Sequence, residues 1–244
     1  MNRYKLMLSI LFMLMGLNNF NYKSLCVSLF FVYMHGFGKE IKEDINTFIN
    51  NIKNYFLLIR PLNVFISGLA MVASAAILDC LEETDILILV VLIVMAFTAA
   101  ANSINDLIDL EIDKINRPSR PIPSKKLKKS TILKFSFTLF FFGSILSLQL
   151  SSTAQFLSIV VSMPLMIVYS THLKSKPLIG NLVVSLIIGL SFIFCGTAFG
   201  KITPMWTPGF LAFSLTLIRE IIKDIADIEG DRIANCKTYP IQNG

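Results

Sequence analysis

Six stretches of mostly apolar residues, each near the length of a membrane span, constrain this chain more than anything else in it. They run from 62 to 78, 86 to 105, 132 to 150, 154 to 171, 178 to 199 and 206 to 222. A helix that crosses the hydrocarbon of a bilayer needs about 20 mostly apolar residues. The surrounding composition agrees: 54% of the 244 residues are hydrophobic and only 16% are charged, too apolar for an ordinary soluble domain. The sequence predicts an all-α fold, a multi-spanning transmembrane bundle of six helices.

Loop charge gives the topology, because Lys and Arg near helix ends are retained on the cytoplasmic side. The first loop reads DCLEETD and has no base, whereas the second, KINRPSRPIPSKKLKKS, is densely basic. The alternation continues. The third loop has no Lys or Arg, the fourth has Lys174 and Lys176, the fifth has only Lys201, and Arg232 and Lys237 follow the sixth helix. The even-numbered loops are therefore predicted to be cytoplasmic. The net charge of +6 reads as topology together with anionic lipid or an anionic substrate, and no nucleic-acid partner is indicated.

Residues 1–55 form a separate N-terminal extension. MNRYKLMLSILFMLMGL has a basic start and a short apolar core without a clear cleavage site, and a second apolar stretch, SLCVSLFFVYMHGFG, follows Lys23. One additional hydrophobic or interfacial segment is expected there. Ile45, Ile49, Ile52 and Phe56 then recur at helical spacing, as in an amphipathic helix lying on the membrane. Cys26, Cys80, Cys195 and Cys236 are too scattered for a zinc site or a disulfide framework, and the unpaired His35 and His172 read as structural.

The acidic residues are concentrated where an apolar chain would least tolerate them. Asn105, Asp109 and Asp113 stand at i, i+4 and i+8, so they form one stripe if the second helix continues past its span; Asp106 lies about 100° round the same turn. Stacked like charges destabilise a helix and call for a cation. Carboxylate oxygens, with further positions left to water and phosphate, suit Mg²⁺. A second cluster, Asp224, Asp227 and Asp231, repeats the spacing of Asp106, Asp109 and Asp113 at the end of the sixth helix. Loop charge puts both clusters on one face. Facing each other across a bundle, they could hold two Mg²⁺ ions and a diphosphate.

These residues carry a resemblance. The sequence resembles the UbiA superfamily of intramembrane prenyltransferases, whose motifs NxxxDxxxD and DxxxD match Asn105, Asp109 and Asp113, and Asp227 and Asp231. RPLNV at 60–64, YSTHLKSKPLIGN at 169–181 and KTYPI at 237–241 are further matches, and the likeness covers about 56–244. It implies a prenyltransferase domain in which Mg²⁺ on the aspartates binds an isoprenyl diphosphate, with Asp109, Asp113, Asp227 and Asp231 as the catalytic carboxylates. Metal charge would stabilise the departing diphosphate, and an acceptor would capture the allylic cation. Lys174, Lys223, Arg117, Arg120, Asn105, Asn63 and Tyr169 are the implied substrate-binding residues, and Asp106 and Asp224 complete the implied metal set. Asn181 reads as an interhelical hydrogen-bonding residue, and Pro164, Gly189, Gly196 and Gly200 read as kink or close-packing positions.

NDLIDLEIDKINRPSRPIP and REIIKDIADIEGD look most similar to the branch that transfers a geranylgeranyl group to geranylgeranylglyceryl phosphate in ether-lipid synthesis. A sibling that prenylates an aromatic ring, such as 4-hydroxybenzoate, homogentisate or a naphthoate in quinone synthesis, is the second reading. Family members have about nine helices, so a chain with six is expected to be incomplete at its C-terminus, either a fragment or a shortened relative that binds lipid without catalysis.

Overall fold

The computed structural model describes residues 45–47, 49–124, 126–174, 176, 178–226, 228, 239 and 241. Two compact units divide at Ile52 and Lys53. In the first, residues 45–47 and 49–52 are helical and exposed, with Ile45, Ile49 and Ile52 open to the surroundings. The expected hydrophobic segment before them, with Cys26 and His35, lies outside the described residues, as do Asp227, Asp231, Arg232, Cys236 and Lys237.

In the second unit, residues 53–58 finish a helical stretch and, among the described residues, seven helices of seven or more residues follow. They are α1 (Pro61–Ile77), α2 (Thr84–Ile108), the short α3 (Leu110–Asn116), α4 (Lys129–Ser147), α5 (Ser152–Leu173), α6 (Ile179–Ala198) and α7 (Trp206–Ala226). No strand occurs among the described residues. All six expected spans are helices, shifted by at most a few residues at their ends. Four of them, α2, α4, α5 and α6, are each long and apolar enough to cross a membrane alone. By length and composition alone, α1 and α7 fall outside that group among the described residues. With 17 residues, α1 makes a fifth span only together with the helix before it. The last two turns of α7 carry Arg219, Glu220, Lys223 and Asp224, which take that end of the helix out of apolar surroundings.

Within the bundle, α2 packs against α1 and α4, and α6 against α7. One core joins Met71, Ile93, Phe97, Phe140, Phe194 and Met205, with Phe97 and Phe140 edge to face at 5.5 Å. Outward-facing Phe141, Phe210 and Leu215 are 66–69% exposed. Lipid is the solvent for such a surface, so it carries no hydrophobic penalty. In α5, Phe156–Ser162 and Tyr169–Leu173 are π-helical. Pro164 accounts for the first: it has no N–H, so the Val160 carbonyl loses its α-helical donor and the preceding turn widens.

Contacts at the two ends of the bundle match the alternation of loop charge. At one end Lys201 Nζ, after α6, donates to the Leu78 carbonyl, after α1, at 2.8 Å. At the other end Lys174, after α5, pairs with Asp109, after α2.

Candidate active site

The aspartate end of α2 rests on a small core of its own. Leu58, Leu110, Ile122 and Ile132 are each at most 8% exposed and pack together, with Tyr55 and Phe135 alongside. Burying Ile122 stabilises the basic loop by about 1.5–3 kcal/mol. It also folds the RPSRPIPS segment back over α3. Arg120 N donates to the Arg117 carbonyl at 3.2 Å, and Ser124 Oγ donates to the Arg120 carbonyl at 2.7 Å, so this turn aims the Arg120 side chain inward.

The expected acidic stripe forms, although α2 ends at Ile108 and α3 begins at Leu110. Asp109 is the joint, and the i to i−4 pattern survives it: Asp109 N donates to the Asn105 carbonyl at 2.9 Å and Asp113 N to the Asp109 carbonyl at 2.7 Å. Asp106, Asp109 and Asp113 are all buried. Basic side chains answer the carboxylates. Arg60 and Arg120 both donate to Asp106 Oδ1, the latter at 3.0 Å; Arg120 also pairs with Asp113, and Lys174 with Asp109. Asn105 Oδ1 is buried and has no hydrogen-bond partner. Burial pushes the Asp113 carboxyl above the usual carboxylate range, against the opposing pull of Arg120.

Two further helices complete the rim. Asp224 at the end of α7 accepts from Asn181 Nδ2 of α6 at 2.8 Å, so Asn181 makes the interhelical bond expected of it, and to an aspartate of the second cluster. Tyr169 is 8% exposed, and the carboxylates of Glu220, Asp109 and Asp224 all lie within electrostatic reach of its phenol. Lys223 is half-buried beside Glu220, at 3.8 Å. Arg117 and Asn63 are exposed.

The donor set fits a hard divalent cation. It offers carboxylate oxygens and an unpaired amide oxygen on one stripe. Among the described residues no three His, Cys, Asp or Glu side chains converge as a metal cage; ion pairs with Arg60, Arg120 and Lys174 turn the carboxylates toward themselves.

Three participants escaped the sequence. Arg60 was visible only as part of RPLNV. Asn102, whose Nδ2 donates to the Ile59 carbonyl at 2.8 Å, was hidden in a polar stretch. Asn181 and Asp224 were each named, but not as a pair. Glu220 is 7% exposed and, with Gly209, one of only two buried residues described on α7. A charged residue on the packed face of a helix was the available signal for Glu220.

Toward the bundle interior lies a partly open apolar cavity among α1, α2, α5 and α6, lined by Ile93, Phe97, Thr98, Ser162, Met166 and Phe194 among others. Its lining hydroxyls include Ser67, Ser158 and Ser191, which donate to the carbonyls of Val64, Ala154 and Ile188 in their own helices. The wall they present is therefore less polar than its residue types suggest. Thr98 precedes Asp106 by about 12 Å of helix rise.

Residues 62–244 match the UbiA prenyltransferase family. A digeranylgeranylglyceryl phosphate synthase of Thermococcus gammatolerans is 38% identical over 191 residues, covering 78% of this chain and 69% of that protein. The Methanothermobacter thermautotrophicus synthase is 41% identical over 134 residues, 55% of this chain and 47% of its own length. This chain thus spans about half the length of some curated relatives it matches. A solved structure of digeranylgeranylglyceryl phosphate synthase in membranes superposes with a TM-score of 0.69 at 32% identity, covering 79% of this chain and 69% of that one. A UbiA homolog from Archaeoglobus fulgidus bound to DMAPP and Mg²⁺ shares the fold, with a TM-score of 0.60 at 16% identity over 77% of this chain and 68% of that one. The chain belongs to the UbiA prenyltransferase family.

Proposed function

We propose that this protein transfers a prenyl group, geranylgeranyl, from its diphosphate to geranylgeranylglyceryl phosphate, on the cytoplasmic face of the membrane. The observation that carries this reading is the stripe of buried aspartates, answered by three basic side chains, on the same helix as an apolar cavity that lies deeper in the bundle. The names of the relatives support the choice of acceptor.

In this mechanism Asp109 and Asp113, with the Asn105 amide oxygen, and Asp224, Asp227 and Asp231 of the second cluster are the residues that would hold Mg²⁺. Bound there, the metal supplies charge that stabilises diphosphate as a leaving group. Lys174 moves from Asp109 to the diphosphate, and Arg120, Arg117 and Lys223 bind phosphate oxygens. Tyr169 closes the site above the cavity, whose apolar wall takes the prenyl tail and excludes water from the reacting carbon. Asn63, at the start of α1, lines the approach of the acceptor. The donor's C1–O bond breaks with its electron pair going to the diphosphate; the acceptor hydroxyl forms the new C–O bond and gives its proton to that leaving group.

The test is to incubate membranes that contain this chain with Mg²⁺, labelled geranylgeranyl diphosphate and separate acceptors. Ether product from geranylgeranylglyceryl phosphate is expected. Product on 4-hydroxybenzoate or homogentisate instead would move the protein to ring prenylation.

A further inference from the structure

Asp106 differs from the aspartates around it. It is the most deeply buried of the three, at 2% exposure, and a single oxygen, Oδ1, accepts from both Arg60 Nη2 and Arg120 Nη1. Asp109 meets one flexible lysine, and Asn105 Oδ1 meets nothing. A carboxylate oxygen already shared by two guanidinium ions is a poor ligand for a divalent cation, which would sit against two held positive charges.

Arg60 is held in an unusual way. Its backbone has φ 55, in the left-handed region, directly before Pro61. The residue before a proline is disfavoured in α-type conformations, and a side chain at positive φ adds strain that the surroundings must offset. Two contacts with α2 do so: Asn102 Nδ2 on the Ile59 carbonyl, and Asp106 on the guanidinium itself. The strain brings Arg60 beside Arg120. Each arginine uses one terminal nitrogen. Arg60 Nη1 and Arg120 Nη2 take no part in these ion pairs, and the buried Arg60 Nε has no hydrogen-bond partner. Their side chains are 29% and 19% exposed, so both reach the open rim.

Resting on the prenyl-transfer reading, we propose that Asp106 is a positioning residue and not a metal ligand. It clamps Arg60 and Arg120 side by side as a two-guanidinium receptor for a phosphate group, either the donor's diphosphate or the acceptor's phosphate monoester. Planar guanidinium forks match phosphate oxygens in pairs, and a lysine in place of either does not.

The experiment compares the full chain in lipid nanodiscs with Asp106→Asn, Arg60→Lys and Asp109→Asn. Mn²⁺ binding is read by electron paramagnetic resonance at saturating inorganic pyrophosphate; binding of inorganic pyrophosphate and of glycerol phosphate is read by calorimetry at saturating Mg²⁺. Asp106→Asn and Arg60→Lys are expected to keep Mn²⁺ affinity within about twofold while weakening one of the two phosphate ligands about tenfold. The ligand that weakens identifies the phosphate received. Asp109→Asn is expected to weaken Mn²⁺ instead. Arg60→Lys keeps the buried carboxylate partnered by a cation, so it answers the question if Asp106→Asn does not fold. The proposal is overturned if Asp106→Asn weakens Mn²⁺ as much as Asp109→Asn does, or if both variants bind both phosphates like the wild type. A wild-type chain that binds no Mn²⁺ would remove the metal reading itself, a different failure.

Discussion

Asp109 is the carboxylate on which most depends, because it sits at the joint between α2 and α3 and carries Lys174 as its counter-ion. Asp109→Ala is expected to lower the transfer rate by about 100-fold or more, as does loss of a group that stabilises charge in a transition state. The fold is expected to persist, as judged by an unchanged elution profile and a cooperative thermal melt in detergent. Asn102 tests a quieter role. Asn102→Ala removes the bond to the Ile59 carbonyl and is expected to cost about 1–2 kcal/mol of stability, read as a lower melting temperature. The two kinds of residue differ in how visible they are in sequence. Asp109 and Asp113 announce themselves by an i, i+4 spacing, which is a property of one helix. Arg60, Asn102 and Asn181 matter through partners 43 to 46 positions away, and spacing within a segment cannot reveal such a pairing.

At the scale of elements, α6 and α7 meet at paired glycines. A Cβ added at Gly189 would lie 2.9 Å from the Gly209 carbonyl oxygen, and one at Gly209 3.1 Å from the Gly189 oxygen. Such backbone approach is how membrane helices gain packing energy where lipid removes the hydrophobic drive. Gly189→Val is expected to push the two helices apart and destabilise the protein by about 1–3 kcal/mol, measured by thermal melting. A neighbouring exposed change such as Leu186→Val serves as the control. The helices themselves were legible because a span is a length of apolar chain. Where charge interrupts that length the reading slipped: the sequence ends the sixth helix at 222, while α7 runs to Ala226 with Glu220 on its packed face. The close-packing roles of Gly189 and Gly196 were foreseen as a class; their partners, Gly209 and Met205, belong to the fold alone. Pro164 was foreseen as a kink or close-packing site, and it accompanies a widened π turn.

For the whole molecule, the carboxylates stand at one end of α2 and the apolar cavity lies about 12 Å deeper, which under the proposed function separates chemistry from tail binding. Filling the cavity should therefore change which donor is used more than whether transfer occurs. Ser191→Phe places a ring at the cavity wall. It is expected to reduce kcat/KM for a twenty-carbon donor about tenfold more than for a ten-carbon one, measured by competition between the two diphosphates. Equal losses for both would mean that the tail lies elsewhere. The shared face of the two acidic clusters follows from loop charge, and the contacts of Lys174 with Asp109 and of Lys201 with Leu78 agree with that alternation. The cavity had no signature in the sequence, since its walls come from four helices and are made of the same residues that face lipid.

The most direct measurement is transfer of label from geranylgeranyl diphosphate to lipid by nanodiscs of this chain, titrated with Mg²⁺ and repeated for Asp109→Ala and Asp227→Ala. Saturable, Mg²⁺-dependent product from the wild type and none from either variant is the expected result. Full Mg²⁺-dependent transfer by both variants would contradict the assignment of the aspartates as the metal and diphosphate site.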